Sequence, residues 1–211
     1  MASSMIHLAA TKCAVQTLTA GDWDRLWLGC VLPDGAAHGK GHLKRLLCEG
    51  CRRAYDLEGF RGQFGEQMGQ DGLYLGYYLH LIQDTFYRKF MYTEHGWDPG
   101  VPGNLDKLYH DYAVTNRHVA ERFGLRADML RPLSLAGEPI TRIDDFDVPG
   151  LVREVRSQFA PGQEEETFFF SREMAEELVL RSAEFCRTEL ENLRAHRPGL
   201  DSAQWSWERL L

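Results

Sequence analysis

The feature that most constrains this 211-residue chain is a segment, residues 72–87, that reads GLYLGYYLHLIQDTFY. Wound as a helix, it presents apolar side chains on nearly every side, and a helix of this kind lies in the interior of a protein. Its His80 and Asp84 are therefore predicted to be buried. They stand four residues apart, which is one helical turn, so their side chains leave the same face.

A buried carboxylate costs free energy unless it is paired or bound to a metal ion. The His80/Asp84 pair has two interpretations. It is either a hydrogen-bonded pair in a helical core or two ligands that grip one ion, for which the spacing is suitable. The pair alone leaves both interpretations open.

Four further residues extend the metal hypothesis. Asp34 follows Pro33 at the start of a glycine-rich loop, residues 33–42, which also contains His38 and His42. The glycines leave the loop free to bring these side chains inward. His7 lies in an apolar helix near the N-terminus. Taken separately, each can be explained as an exposed loop residue or as a hydrogen-bonded core residue. Together they form a set of nitrogen and oxygen ligands suited to zinc or another divalent transition metal.

A predicted helix over residues 105–123 supplies weaker candidates, namely Asp106, His110, Asp111 and His118. Asp106 and His110 are one turn apart, and they belong either to a second metal position or to a solvated helix face. The adjacent His110–Asp111 pair is also typical of HD-type phosphohydrolases, which gives an alternative function. It follows His80/Asp84 in the chain instead of preceding it, which argues against that alternative.

The rest of the sequence predicts an all-α fold in one compact domain, residues 1–211, with five to seven helices and the metal-site core within about residues 5–125. Apolar residues make up 44% of the chain and charged residues 26%, enough to bury a core. The strongest helix is expected over residues 63–92, and a long amphipathic one from a Ser171 cap to about Ala195. Residues 42–56 are weakly helical, and strand-like alternation is nearly absent.

Composition also limits partners and location. The net charge is -7 and no run of five basic residues occurs, so nucleic acid is not expected as the main partner. No apolar stretch is long enough to span a membrane, and His7 and Lys12 interrupt the only stretch that resembles a signal peptide. The five cysteines cannot all pair, which favours the reducing cytoplasm. Cys48 and Cys51 form one C-x-x-C without the second pair that a structural zinc site needs.

Several short segments, in this order, give the chain a family resemblance. They are Ile6-His7-Leu8, Leu28-Gly-Cys-Val-Leu-Pro-Asp34, Lys40-Gly-His42, Leu75-Gly-Tyr-Tyr-Leu-His80-Leu-Ile-Gln-Asp84 and Leu108-Tyr-His-Asp111-Tyr. On these residues the chain resembles the zinc-dependent phospholipase C superfamily, especially its smaller bacterial members of uncertain activity. The resemblance covers about residues 5–125 and, more loosely, the C-terminal helix.

The resemblance implies a phospholipase C-like helical fold in which metal ions activate a water that attacks a small phosphorylated substrate. It implies that one ion is held by Asp34, His42, His80 and Asp84. His7 would help to hold a second ion, bridged by Asp84, so that one or two ions are expected. Asp34 is the candidate catalytic proton acceptor.

The chain departs from that family at two points. The secreted phospholipases begin at a Trp that binds metal, whereas no Trp occurs here before Trp23. Their later His…His-x-x-x-Glu ligands also lack a clear counterpart. A non-catalytic helical protein with a structural or vestigial metal site is therefore the second hypothesis.

Overall fold

The computed structural model describes residues 2–16, 22–160 and 165–208. Among these residues lie seven α-helices: α1 (Ser4–Ala14), α2 (Trp23–Val31), α3 (Leu57–Met68), α4 (Gly72–Arg88), α5 (Asn104–Arg122), α6 (Val148–Ser157) and α7 (Arg172–Arg194). Three short strands accompany them: β1 (Lys44–Leu47), β2 (Arg52–Tyr55) and β3 (Trp207–Glu208). The predicted all-α fold is confirmed in outline, since the described residues are mostly helical and carry one small three-stranded sheet.

Helix α4 is the central element, as its apolar surface predicts, and its residues from Tyr77 to Tyr87 are all buried. The predicted single helix over residues 63–92 is wrong, because residues 63–68 belong to α3. The chain turns after Met68, and the Asp71 side chain caps α4 by accepting a hydrogen bond from the Leu73 amide at 2.9 Å. Past Arg88, the helix continues as a π-helical turn, Lys89–Glu94.

Helices α2 and α4 pack closely because glycines face the partner helix on each side. A Cβ atom on Gly76 would lie 2.3 Å from the carbonyl oxygen of Leu26, and one on Gly29 would lie 2.1 Å from that of Leu73. No side chain fits at such distances. This close approach brings the backbone of α2 within hydrogen-bonding range of side chains on α4.

The prediction of a helix over residues 42–56 is wrong. This segment is an antiparallel hairpin in which Lys44 pairs with Tyr55 and Leu47 with Arg52. Strand β3 pairs with β2, so that the sheet order is β1-β2-β3. Glu49 and Gly50 at the hairpin tip have φ values of 56° and 93°, in the left-handed region that suits a tight hairpin turn.

Helix α7 begins as predicted, with the Ser171 hydroxyl accepting from the Met174 amide at 3.2 Å. It packs against α1, α4 and α5. Within the described residues, no helix is both long enough and apolar enough to cross a membrane.

Candidate metal centre

Five side chains from four parts of the chain converge inside the helical core. His7 comes from α1, Asp34 from the 3-10 turn after α2, His42 from the end of the glycine-rich loop, and His80 and Asp84 from α4. The Nε2 atom of His42 lies 3.1 Å from His80 Nε2, 3.3 Å from Asp34 Oδ1 and 3.4 Å from Asp84 Oδ2. His7 Nε2 lies 3.6 Å from Asp84 Oδ1.

Hydrogen bonds to Nδ1 fix the orientation of two of the imidazoles. His7 Nδ1 lies 2.8 Å from the side-chain oxygen of Gln83, and His80 Nδ1 lies 2.8 Å from the carbonyl oxygen of Cys30. Both partners are acceptors, so Nδ1 is the protonated nitrogen in each ring. The Nε2 lone pairs of His7 and His80 therefore point into the cluster. This arrangement of a metal-ligating histidine and an acceptor behind it is common in metal sites.

Three of the polar atoms that face one another in this cluster lack hydrogen-bond partners. Among the described residues, His7 Nε2, Asp34 Oδ1 and Asp84 Oδ2 are buried and make no hydrogen bond. Leaving such atoms unpaired costs about 1–3 kcal/mol each, and more when the group is charged. Divalent cations held by the two donor groups in which these atoms lie, His7, Asp34 and His80 and His42, His80 and Asp84, would satisfy all three. The donor set of imidazole nitrogen and carboxylate oxygen matches the preferences of zinc and similar ions.

The pKa directions give three of the ligands, His80, Asp84 and Asp34, the protonation state that metal binding needs. Burial, with the neighbouring His7, lowers the pKa of His80 to about 3, so its imidazole is neutral. For Asp84, burial opposes ionisation, but the surrounding His80, His42 and His7 outweigh it and lower the pKa of the carboxyl. Burial and the same imidazoles act on Asp34, whose pKa is also lowered. Neutral histidines and ionised carboxylates are the forms that bind metals.

The glycine-rich loop is held in place by residues outside the cluster. A Cβ atom on Gly41 would lie 2.3 Å from the carbonyl oxygen of Pro33, so only glycine fits there, and the Tyr77 hydroxyl donates to the Gly41 carbonyl. The buried Asp144 carboxylate accepts from the Lys40 amide at 2.9 Å and from the amide of His38 at 3.2 Å. These bonds hold His42 in the core.

The cluster opens to the surface through a cavity of about 690 Å³, which Asp34 lines. Its walls are rich in aromatic residues, namely Tyr87, Tyr92, Trp97, Tyr109 and Tyr112. The Tyr112 hydroxyl donates to that of Tyr87 at 2.8 Å. Of the aromatic residues around the centre of α4, only Tyr87 lines this cavity. Its volume lies in the range of small-molecule sites.

The weaker candidates lie outside the cluster. Asp106 is exposed on α5, His38 bonds Asp144 at 2.7 Å, and His118 bonds Glu176 at 2.7 Å. His110 contacts Glu165 at 2.6 Å, and Asp111 is buried beneath it.

Asp111 is committed to a structural role. Its carboxylate accepts the backbone amides of Phe168, Phe169 and Phe170 at 2.7–2.8 Å. It thus anchors the segment that leads into α7. The HD-type interpretation requires His110 and Asp111 at the metal, and the structure does not place them there.

The residues behind the ligands were not among the candidates predicted from the sequence. Gln83 accepts from His7 and donates through its amide nitrogen to the Thr11 hydroxyl at 2.8 Å. Thr11 in turn lies 3.1 Å from the Cys30 sulfur. The available signal was a polar Gln83 inside an otherwise apolar helix, directly before Asp84.

Comparisons with known proteins place this geometry in no family. No protein-family model, no curated protein and no solved structure matches the chain. The similarity to zinc-dependent phospholipases C thus rests on the motif residues alone and stays a prediction.

Proposed function

We propose that the protein is a metal-dependent hydrolase that acts on a small phosphate ester. The observation that supports this proposal most directly is the position of Asp34. Its Oδ1 is one of the three unpartnered polar atoms of the cluster, and the same residue lines the 690 Å³ cavity. A substrate in the cavity would therefore reach the cluster at Asp34.

The ligand assignment follows from the distances between the donor atoms. Two overlapping groups have ligand atoms within 4.8 Å of one another: His7, Asp34 and His80, and His42, His80 and Asp84. They share His80. One ion held by either group, or two ions in adjacent positions with His80 on one of them, is consistent with this overlap, and zinc is the metal that the donors suit best.

A divalent ion bound here would supply the charge that polarises a phosphate ester and lowers the pKa of water. The protein supplies the rest of the chemistry. Asp34, held ionised by the imidazoles beside it, is placed to accept a proton at the inner end of the cavity. The aromatic side chains of the cavity would contact the apolar part of a substrate.

A non-catalytic protein with a structural metal is the second candidate, and it is favoured by the complete burial of His7, His80 and Asp84. A structural zinc site is closed by four protein ligands, whereas a catalytic one keeps a position open. The two candidates therefore differ in whether the bound metal reacts with ligands that enter through the cavity.

The test measures metal content and hydrolysis on the same preparations. Wild-type protein is loaded with zinc, manganese or iron, dialysed, and assayed by elemental mass spectrometry and with p-nitrophenyl phosphate and bis(p-nitrophenyl) phosphate. We expect at least one equivalent of metal and turnover of one ester, both lost in Asp84→Asn. Asp106→Asn, at an exposed position on α5, is the matched control and should retain both.

A folded protein that takes up no metal from any of the three buffers contradicts both candidates. Metal bound by wild type without hydrolysis of either ester, and without inhibition of metal exchange by phosphate, rejects the hydrolase and supports the structural role. Activity that survives in Asp84→Asn would place the chemistry elsewhere.

A further inference from the structure

The hairpin of β1 and β2 contains a pair of thiols that the metal cluster does not use. Cys48 and Cys51 are free and exposed at its tip, whereas Cys30 and Cys186 are buried and Cys13 is half-buried. Burial raises the pKa of Cys30 to about 12 and also raises the pKa of Cys186, so both remain unreactive thiols. Reactivity toward agents in solution is thereby concentrated on the hairpin.

The turn brings the two cysteines close together. The Cys51 amide donates to the Cys48 carbonyl at 3.1 Å, which closes a four-residue turn with Glu49 and Gly50 at its centre. In such a turn the first and last Cα atoms are within about 7 Å. A disulfide spans Cα separations of about 4.4–6.8 Å. The pair therefore meets the main distance requirement for an intramolecular disulfide without rearrangement of the strands.

The hairpin is also strongly basic in an otherwise acidic chain. Residues 44–55 contain four cationic side chains, Lys44, Arg45, Arg52 and Arg53, and one anionic side chain, Glu49, although the whole chain has a net charge of -7. Arg45 is paired with Asp56 and Glu58, both at 2.9 Å. Within the part of the chain that the structure describes, the other three cations form no ion pair. Their charge attracts anions to the turn.

From these observations we infer that Cys48 and Cys51 form a reversible redox site that reacts with anionic low-molecular-weight disulfides, such as oxidised glutathione. This inference is independent of the proposed hydrolase. One cysteine thiolate attacks a sulfur of the small disulfide, which forms a mixed disulfide and releases one small thiolate. The second cysteine thiolate then attacks the protein sulfur of the mixed disulfide. The protein dithiol loses two electrons, and the small disulfide leaves as two thiols.

The exposure of the turn makes the oxidised form easy to reverse. Both cysteines are exposed at the tip of the hairpin. Exposed disulfides are reduced more readily than buried structural ones. The site is therefore suited to cycling and not to permanent cross-linking.

The experiment follows thiol content by intact mass after reaction with oxidised glutathione and trapping with N-ethylmaleimide. We expect wild type to lose two reactive thiols and to keep no glutathione. Cys48→Ser should retain glutathione as a mixed disulfide on Cys51. Cys13→Ser, which removes the other partly accessible thiol, is the control and should behave like wild type.

A second measurement tests the charge argument by comparing oxidised glutathione with cationic cystamine. We expect glutathione to react about tenfold faster at low salt, with the advantage shrinking as salt screens the hairpin charge. Arg53→Glu should reduce the rate advantage of glutathione over cystamine. Equal rates for the two reagents contradict the preference for anions. Unchanged thiol content in wild type, or a stable glutathione adduct on it, overturns the intramolecular disulfide.

Discussion

Two buried carboxylates, Asp84 and Asp111, each lie on a helix close to a histidine, and both side chains are fully buried. Asp84 faces three imidazoles, and its Oδ2 has no hydrogen-bond partner. Asp111 accepts three backbone amides from the segment before α7. In the sequence each carboxylate follows a histidine, His80 four residues before Asp84 and His110 directly before Asp111, but their hydrogen bonding is opposite. The carboxylate whose oxygens all accept hydrogen bonds holds the fold together, whereas the one that faces three imidazoles with an unpartnered oxygen is arranged to bind a cation.

Replacing the histidine beside each carboxylate should give the largest difference in metal affinity. His80→Asn keeps a donor that can reach the Cys30 carbonyl and removes the Nε2 ligand, so we expect metal affinity to fall by at least about 100-fold, more than the loss of an outer-shell partner. His110→Asn should leave it unchanged, because His110 bonds Glu165 instead. Competition with a chromogenic chelator measures both. Equal losses in the two variants would remove the distinction between the regions.

For the stability of the metal-free protein, Asp111 should matter more than Asp84, the reverse of what is expected for metal binding. In chelator-treated protein, Asp111→Asn should lower the free energy of unfolding by about 2–3 kcal/mol, because a buried group loses charge-assisted hydrogen bonds. Asp84→Asn should change it by at most about 1 kcal/mol, since the attraction of the imidazoles for the carboxylate is lost, while an amide can donate to an imidazole and carries no buried charge. Urea denaturation gives both values. A large loss for Asp84→Asn would identify His80/Asp84 as a structural pair.

The residue behind His7 should have a smaller effect on the metal. Gln83→Leu removes the acceptor of the His7 Nδ1 proton, and we expect metal affinity to fall about 10-fold, as for other outer-shell partners of metal ligands. Gln83→Glu should restore or exceed wild-type affinity, because a carboxylate is a stronger acceptor. Gln63→Leu, on the exposed side of α3, is the control. Isothermal titration with zinc measures the three variants, and equal affinity in Gln83→Leu would exclude a positioning role.

Asp144 is a second buried carboxylate that accepts several hydrogen bonds, like Asp111. Its replacement should have the smallest of these effects. Burial opposes its ionisation, but the amides of Lys40 and His38 and the His38 side chain lower the pKa of Asp144 to about 2. The unfolded value is about 3.9, so the stabilisation is complete above that pH and is lost as pH falls through about 2.

Wild type should therefore exceed Asp144→Asn in urea midpoint at neutral pH, and the difference should shrink steadily on acidification below about pH 4. A series of midpoints from neutral to acidic pH measures it. A constant difference across the series would show that the ionised form of Asp144 is not what holds the loop.

Much of the site could be predicted from the sequence because its signals are local. The apolar surface of residues 72–87 identified the central helix, and a one-turn spacing placed His80 beside Asp84. The hairpin at residues 44–55 could not be predicted in the same way. Its strands are short and half-exposed, and the pairing of β2 with β3 joins residues that are distant in the chain.

The sequence by itself determined the buried central helix and the chemical nature of the five donors that the structure brings together. Only the tertiary structure decided which carboxylate has hydrogen-bond partners for both of its oxygens. Asp111 is satisfied by amides 57–59 residues further along, and Asp84 is left facing His7 and His42 across the core. The physical reason is that the hydrogen bonding of a buried group depends on neighbours brought together by packing, and local spacing cannot specify them.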